Sequence, residues 1–110
     1  MLRCVARIMI GAGLALAGLI AAAEDYPSRP IRVVVPFTPG TGMDIIARSV
    51  GPKLSERLGQ PVVIDNRPGA SGNLGAELVA RATADGHTMM VSGNPLITSA
   101  LLYRNVPFKP

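Results

Sequence analysis

Short apolar runs alternate with helix-length segments along residues 31–102, and this alternation constrains the chain more than any other feature. Ile31-Arg32-Val33-Val34-Val35 is short, β-branched and almost continuously apolar, the pattern of a strand buried on both faces. Pro36 stops it. Pro39-Gly40-Thr41-Gly42 reads as a loop, and residues 44–58 as a helix with Ile45, Ile46, Val50, Leu54 and Leu58 on one broad inward face. Gly51-Pro52 inside that helix predicts a kink or a break, because a proline ring clashes with the carbonyl of Arg48. Gly59 suits the residue just past a helix end, and Pro61 prevents continuation. Val62-Val63-Ile64 is the second strand, and residues 67–72 form the second loop. Asn73 can cap a helix running to about Ala82, with Leu74, Leu78 and Val79 facing inward. Asp85-Gly86 is a turn, and residues 88–92 form the third strand. Pro95 is placed as the first residue of a short helix through Leu102. The order β-α-β-α-β-α predicts an α/β fold with a parallel sheet and right-handed crossovers.

The segment before this pattern has a different character. Arg3 and Arg7, with no acid near them, precede an apolar run at residues 8–20, which ends in Ala21-Ala22-Ala23 and the polar pair Glu24-Asp25. A basic start, an apolar stretch and small residues at the exit are the three parts of a secretory signal peptide, so residues 1–23 are expected to be removed after Ala23. The run is shorter than the roughly 20 residues a membrane-spanning helix needs, and Gly11, Gly13 and Gly18 weaken it as a permanent helix. The expected location of the remainder, residues 24–110, is periplasmic.

Charge and cysteine content narrow the function classes. The chain carries a net charge of +4, and Arg3 and Arg7 leave with the signal peptide. The other charges are scattered and only Tyr26, Phe37, Tyr103 and Phe108 are aromatic, so no nucleic-acid footprint is present. Cys4 is the only cysteine and lies in the signal segment, which excludes thiol catalysis, cysteine metal sites and disulfide stapling in the exported part. No Gly-x-Ser-x-Gly elbow, His-Glu-x-x-His or Walker Gly-Lys-Ser/Thr occurs. The expectation is a non-enzyme with no cofactor and no metal. His87, the only histidine, follows Asp85-Gly86 at a strand entrance and is expected on the surface; Met89-Met90 reads as core filling.

In a parallel sheet the three loops that follow the strands share one edge, and open α/β sheets bind ligands in the crevice outside that edge. These loops hold Gly40, Gly42, Gly69, Gly72 and Gly93 together with Thr38, Thr41, Ser71, Asn73 and Asn94. Glycine lets backbone N–H groups approach a ligand, and helix N-termini favour anions. A carboxylate is the natural guest. Such loops also serve tight turns alone. Thr41-x-x-Asp44 matches a capping box, which would satisfy the first-turn donors and place a negative charge beside the proposed anion. Arg67 is either a neutraliser of a ligand carboxylate or a solvated loop charge.

Tyr26-Pro27-Ser28-Arg29-Pro30-Ile31-Arg32-Val33-Val34-Val35-Pro36-Phe37 resembles the start of mature Bug-type receptors, the extracytoplasmic solute-binding proteins of tripartite tricarboxylate transporters. Gly42-Met43-Asp44-Ile45-Ile46-Ala47-Arg48, Leu58-Gly59-Gln60-Pro61-Val62-Val63, Asn66-Arg67-Pro68-Gly69-Ala70, Gly72-Asn73-Leu74-Gly75-Ala76 and Ala84-Asp85-Gly86-His87-Thr88 continue the resemblance in order. It implies a type II periplasmic-binding-protein fold of two lobes, with residues 24–110 as part of the first. It further implies a small organic carboxylate (a di- or tricarboxylate, an amino acid or a related acid) held by the first two strand–helix loops, and membrane components of a transporter as partners. The ligand-binding candidates are Phe37, Thr38, Gly40, Thr41, Gly42, Asp44, Gly69, Ser71, Gly72, Asn73, Gly75 and Asn94. The family loop usually reads Pro-Ala-Gly-Gly-Gly-Thr-Asp where this chain has Thr38-Pro39-Gly40-Thr41-Gly42-Met43-Asp44, and Pro39 removes a backbone donor. Family members are several times longer. Residues 106–110 read as a connection rather than a terminus, and a truncated remnant that binds nothing is the alternative expectation. A small exported enzyme comes last.

Overall fold

The computed structural model describes residues 25–106, so the signal-peptide reading of residues 1–23 and the final 107–110 lie outside the described residues. Strand β1 (Ile31–Val35) is followed by helix α1 (Gly42–Leu58), strand β2 (Val62–Asn66), a 3-10 turn (Ala70–Gly72), helix α2 (Asn73–Arg81), strand β3 (Thr88–Met90) and helix α3 (Asn94–Leu102). The three strands form one sheet in the order β2-β1-β3, with both pairings parallel. The predicted α/β class and element order are therefore present.

The central strand explains why the sheet is covered on both sides. Val33 and Val34 point to opposite faces, since strand side chains alternate, and both are buried, as are Ile31 and Val35. One helix layer could not bury both. α1 packs mainly on β2, while α2 packs on β3 and β1. Register places Val33 beside Ile64 on one side and Met89 on the other. These three line a single apolar groove with Ile46, Ala47, Val50 and Gly51 of α1. The far face carries an ion pair across the strands, in which Arg32 Nε donates to Asp65 Oδ2 at 2.8 Å.

The helix faces differ from the expectation. Asp44, Ala47 and Gly51 are the buried residues of α1, whereas Ile45, Ile46 and Val50 are each about half exposed. In α2 the buried residues are Gly75 and Ala76, and Leu74 is exposed. Close approach is the reason. A Cβ on Gly51 would meet Ile64 Cδ1 at 3.4 Å, and one on Gly75 would meet Pro36 Cβ at 2.7 Å. The helices lie on the sheet through their smallest residues, and the branched side chains flank the contact instead of filling it.

Helix α1 starts two residues earlier than expected and runs through Gly51-Pro52 without a break. Pro52 leaves the Arg48 carbonyl without its usual partner at a point where the residue is exposed, so water can serve it. Gly59 closes the helix in the left-handed conformation at φ 68°, and its N–H bonds to the Ser55 carbonyl. β2 extends two residues further than predicted, because Asp65 and Asn66 pair with Val34 and Val35. β3 ends at Met90, two residues short of the predicted limit.

Candidate functional site

All three helices begin on the edge where the strands end, and none has a side-chain cap on its first turn. This corrects the capping-box expectation. Thr41 is the Ncap residue of α1, but its hydroxyl donates to the Thr38 carbonyl at 2.9 Å. Asp44 does not turn back to the Thr41 N–H either; it accepts from the Gly40 N–H at 2.9 Å. The first backbone N–H groups of α1 therefore stay open toward the crevice. α3 starts behind Gly93 with Pro95 as its second residue, one later than expected; the Leu96 N–H bonds the Gly93 carbonyl at 3.1 Å, which leaves the Asn94 N–H toward the edge.

Asp44 is 2% exposed and sits under the first loop as a hub. Arg48 Nε donates to both carboxylate oxygens at 3.0 Å, and Asn66 Nδ2 donates to Oδ1 at 2.9 Å. Arg48 Nη2 also bonds Asn66 Oδ1 at 3.0 Å, and Asn66 Nδ2 reaches the Phe37 carbonyl at 3.1 Å. The network ties loop one to the end of β2. The Gly40 N–H, then Arg48 and Asn66, hold the Asp44 carboxyl down from 3.8 to about 2 against the opposing effect of burial. Every oxygen of Asp44 is thus engaged inward. Its negative charge is matched by Arg48 and does not face a guest on the outer side of the loop.

The second loop is built on four consecutive residues with positive φ: Gly69 at 139°, Ala70 at 48°, Ser71 at 56° and Gly72 at 92°. Two of these carry a Cβ, and the left-handed region costs such residues roughly 1–2 kcal/mol each. Strain of this kind concentrates where a loop must hold a particular shape. The Gly72 N–H closes on the Gly69 carbonyl at 2.9 Å. The Phe37 ring lies 3.7 Å from the Cβ position of Gly72, so it bridges the first loop to the second.

The structure brings some of the sequence-selected residues together and separates others. Phe37, Thr41, Gly42 and Asn94 line one shallow depression on the edge, with Met43, Gly93 and Pro95 completing it. Gly72 lies beneath Phe37. Thr38, Gly40, Gly69 and Ser71 are exposed around it in the turns that shape the loops. Gly75 is a packing glycine, closed off by Pro36 and the Arg67 carbonyl. Asn73 Oδ1 and Ser92 Oγ are buried at this edge without a hydrogen-bond partner in the protein. Met43 and Pro95 were missed by sequence reasoning, which looked for donors; the signal was the position of Met43 in the first turn beside Gly42.

Two other readings change. His87 is buried, at 6% exposure, not on the surface. The Tyr26 ring packs edge-on against it at 5.0 Å between centroids, and the Tyr26 hydroxyl donates to the Gly86 carbonyl at 2.7 Å. The segment entering β1 folds over the turn and covers the imidazole. Arg67 is turned to Asp65, with Nε 3.0 Å from both oxygens, and does not line the depression. Burial opposes ionisation of Asp65, but Arg32 and Arg67 outweigh it and hold the carboxyl below its ordinary value. Among the described residues no cluster of acids and histidine is arranged to hold a metal ion, and no helix is long and apolar enough to cross a membrane.

Open parallel α/β sheets bind ligands in the crevice outside the edge where their strands end. Residues 46–110 match the sequence pattern of the tripartite tricarboxylate transporter family receptors, and the chain belongs to that family. It is 42% identical over 105 residues to Protein BugT of Bordetella pertussis, covering 92% of this chain and 32% of that protein. A Rhodopseudomonas palustris protein solved with adipate superposes with a TM-score of 0.70 at 45% identity, covering 77% of this chain and 29% of the other. MatC from the same organism, solved with bound malate, gives 0.57 at 45% identity over 59% of this chain and 22% of its own. The chain spans about a third of the length of the curated relatives it matches.

Proposed function

We propose that this chain supplies the first-lobe edge of a periplasmic receptor that captures a small organic carboxylate for a tripartite transporter. The observation that carries the reading is the convergence of the first-turn N–H groups of α1 and the Asn94 N–H of α3 on one edge, where no side chain caps them; the first N–H groups of α2 are closed by the preceding 3-10 turn. Open N–H groups there carry partial positive charge and form directed bonds to an anion. Phe37, Thr41, Gly42 and Asn94 contact the ligand, and Thr38, Gly40, Gly69, Ser71, Gly72 and Asn73 shape the loops or bind through water. Asp44 and Gly75 act from beneath, the first as a charge-balanced hub and the second as a packing contact. Adipate and malate in solved relatives support a carboxylate guest. The signal segment supports export, and a longer protein of this kind would deliver its solute to the transporter's membrane components.

One lobe covers one side of a guest, so much of the burial that gives a closed site its affinity is missing. Binding by the 110-residue chain is weak. Calorimetric or NMR titration against a panel of di- and tricarboxylates is expected to show saturable millimolar binding, whereas micromolar affinity would refute the half-site account. Gly42→Pro is the diagnostic variant. Proline fits the first helical position, and Thr41 is already extended at φ −73°, ψ 161°, as a residue before proline requires. The change removes one donor and leaves the helix start intact. A hydrogen bond to a charged acceptor contributes about 1.5–3 kcal/mol, so binding weakens by about tenfold or more. No saturable binding of any carboxylate would favour the non-binding remnant instead.

A further inference from the structure

We infer that the depression at Met43 selects the hydrocarbon body of the ligand, so that this site prefers long-chain, unsubstituted dicarboxylates to short hydroxylated ones. The inference rests on the carboxylate reading above and adds to it what the rest of the guest molecule meets. The Met43 side chain leaves the first turn of α1 and crosses to the third loop. Its Cε lies 3.3 Å and its Sδ 3.9 Å from the Cβ position of Gly93, and Pro95 Cδ lies 3.8 Å from the same point. The thioether of Met43 and the pyrrolidine ring of Pro95 therefore meet over Gly93 and form one apolar floor. Phe37 stands on the same depression.

No charged side chain lines this depression. Arg48 is committed to Asp44 and Arg67 to Asp65. Recognition of the first carboxylate falls to backbone N–H groups and to the Asn94 side-chain amide, since the Thr41 hydroxyl donates to the Thr38 carbonyl, and the next carbons of the guest face methyl, methylene and phenyl groups. Methylenes gain by leaving water against such a surface. A hydroxyl turned toward that floor exchanges water for apolar contact and gains nothing there. Methionine suits this role because its unbranched thioether adapts to chains of different shape. A Cβ at Gly93 would stand 3.3 Å from Met43 Cε, so a side chain there would press on the end of the methionine.

The test is a titration of the 110-residue chain with succinate, glutarate, adipate and malate, followed through the Met43 methyl and the Gly42 and Asn94 amides. The expected result is about twofold tighter binding per added methylene, from the transfer free energy of a CH₂ buried on one side only. Malate should bind no better than succinate, and the Met43 methyl should shift most with adipate. Met43→Leu should keep the chain-length trend, and Met43→Thr should flatten it while the amide shifts persist. Circular dichroism of both variants reports that the fold is retained. Equal affinities along the series, or a preference for malate, with the Gly42 and Asn94 amides still responding, would overturn the inference and leave the carboxylate edge standing. No response of those amides to any of the four acids would overturn both.

Discussion

Gly75→Ala isolates the contact that joins α2 to the end of β1. An added Cβ would stand 2.7 Å from Pro36 Cβ and 3.1 Å from both Pro36 Cα and the Arg67 carbonyl oxygen. None of these atoms belongs to a flexible side-chain end, so relief requires movement of the helix or of the strand terminus. Overpacking of this kind costs about 1–3 kcal/mol, and backbone neighbours place it toward the upper end. Replacing glycine by alanine within a helix returns about 1 kcal/mol. The net expectation is a loss of about 1–2 kcal/mol. For a domain of this size each kcal/mol lowers Tm by about 4–8 °C, so the variant should melt about 5–15 °C lower. Thermal unfolding followed by circular dichroism reads this directly. Gly42→Ala is the control, because a Cβ at Gly42 meets nothing within 4 Å. A Gly75→Ala protein more stable than the parent by about 1 kcal/mol would refute the reasoning, since helix propensity would then act unopposed and α2 could not be resting on Pro36.

Asp44 predicts the response to acid. Its carboxyl is held at about 2 in the folded chain against an ordinary 3.8, so the folded state binds fewer protons than the unfolded one across that interval. The stabilisation is complete above about pH 4 and is lost as pH falls through 2. Asp65 and Asp85 act in the same sense: Arg32 and Arg67 lower the first, and the His87 N–H and then Arg29 lower the second. Urea midpoints should fall between pH 4 and 2, and Asp44→Asn should reduce that slope; an unchanged slope would remove Asp44 from the account. Ala70→Gly relieves a left-handed alanine at φ 48°. It should raise stability by up to about 1 kcal/mol once the greater freedom of glycine in the unfolded chain is deducted, while Ala80→Gly inside α2 should lower it by about 1 kcal/mol. A loss at both positions would contradict the strained second loop.

Much of the architecture was legible before the structure. The β-branched runs set β1 and β2, and proline and glycine marked the loops. The α/β alternation followed, and with it the edge where strands end and helices begin. Gly59 took its predicted position at the end of α1, and Pro95 lies in the first turn of α3, one residue after its start. What failed was the assignment of helix faces. Periodicity finds a stripe of large apolar residues, but the contact with a sheet is decided by how closely the helix can approach. Ala47, Gly51, Gly75 and Ala76 won that contest because they have little or no side chain to hold the helix away. The Thr41-x-x-Asp44 motif misled for a related reason. A capping box is a local pattern, while Asp44 answers to Asn66, which is distant in sequence and adjacent only because β2 pairs with β1. His87 lies at a polar turn and reads as exposed until Tyr26 is seen folded over it. In the site, glycines and hydroxyls were visible as donors, but the apolar floor over Gly93 depends on Met43 reaching across two loops. No single segment shows that.

The central claim is that a carboxylate binds where the strands end, at α1 and α3, and not at the opposite edge. Amide chemical-shift mapping of the chain with adipate tests it most directly. The account predicts saturable shifts at Gly42, Gly93 and Asn94, with the Asp85, Gly86 and His87 amides unmoved. Shifts confined to Asp85, Gly86 and His87, or spread evenly over both edges, would contradict it.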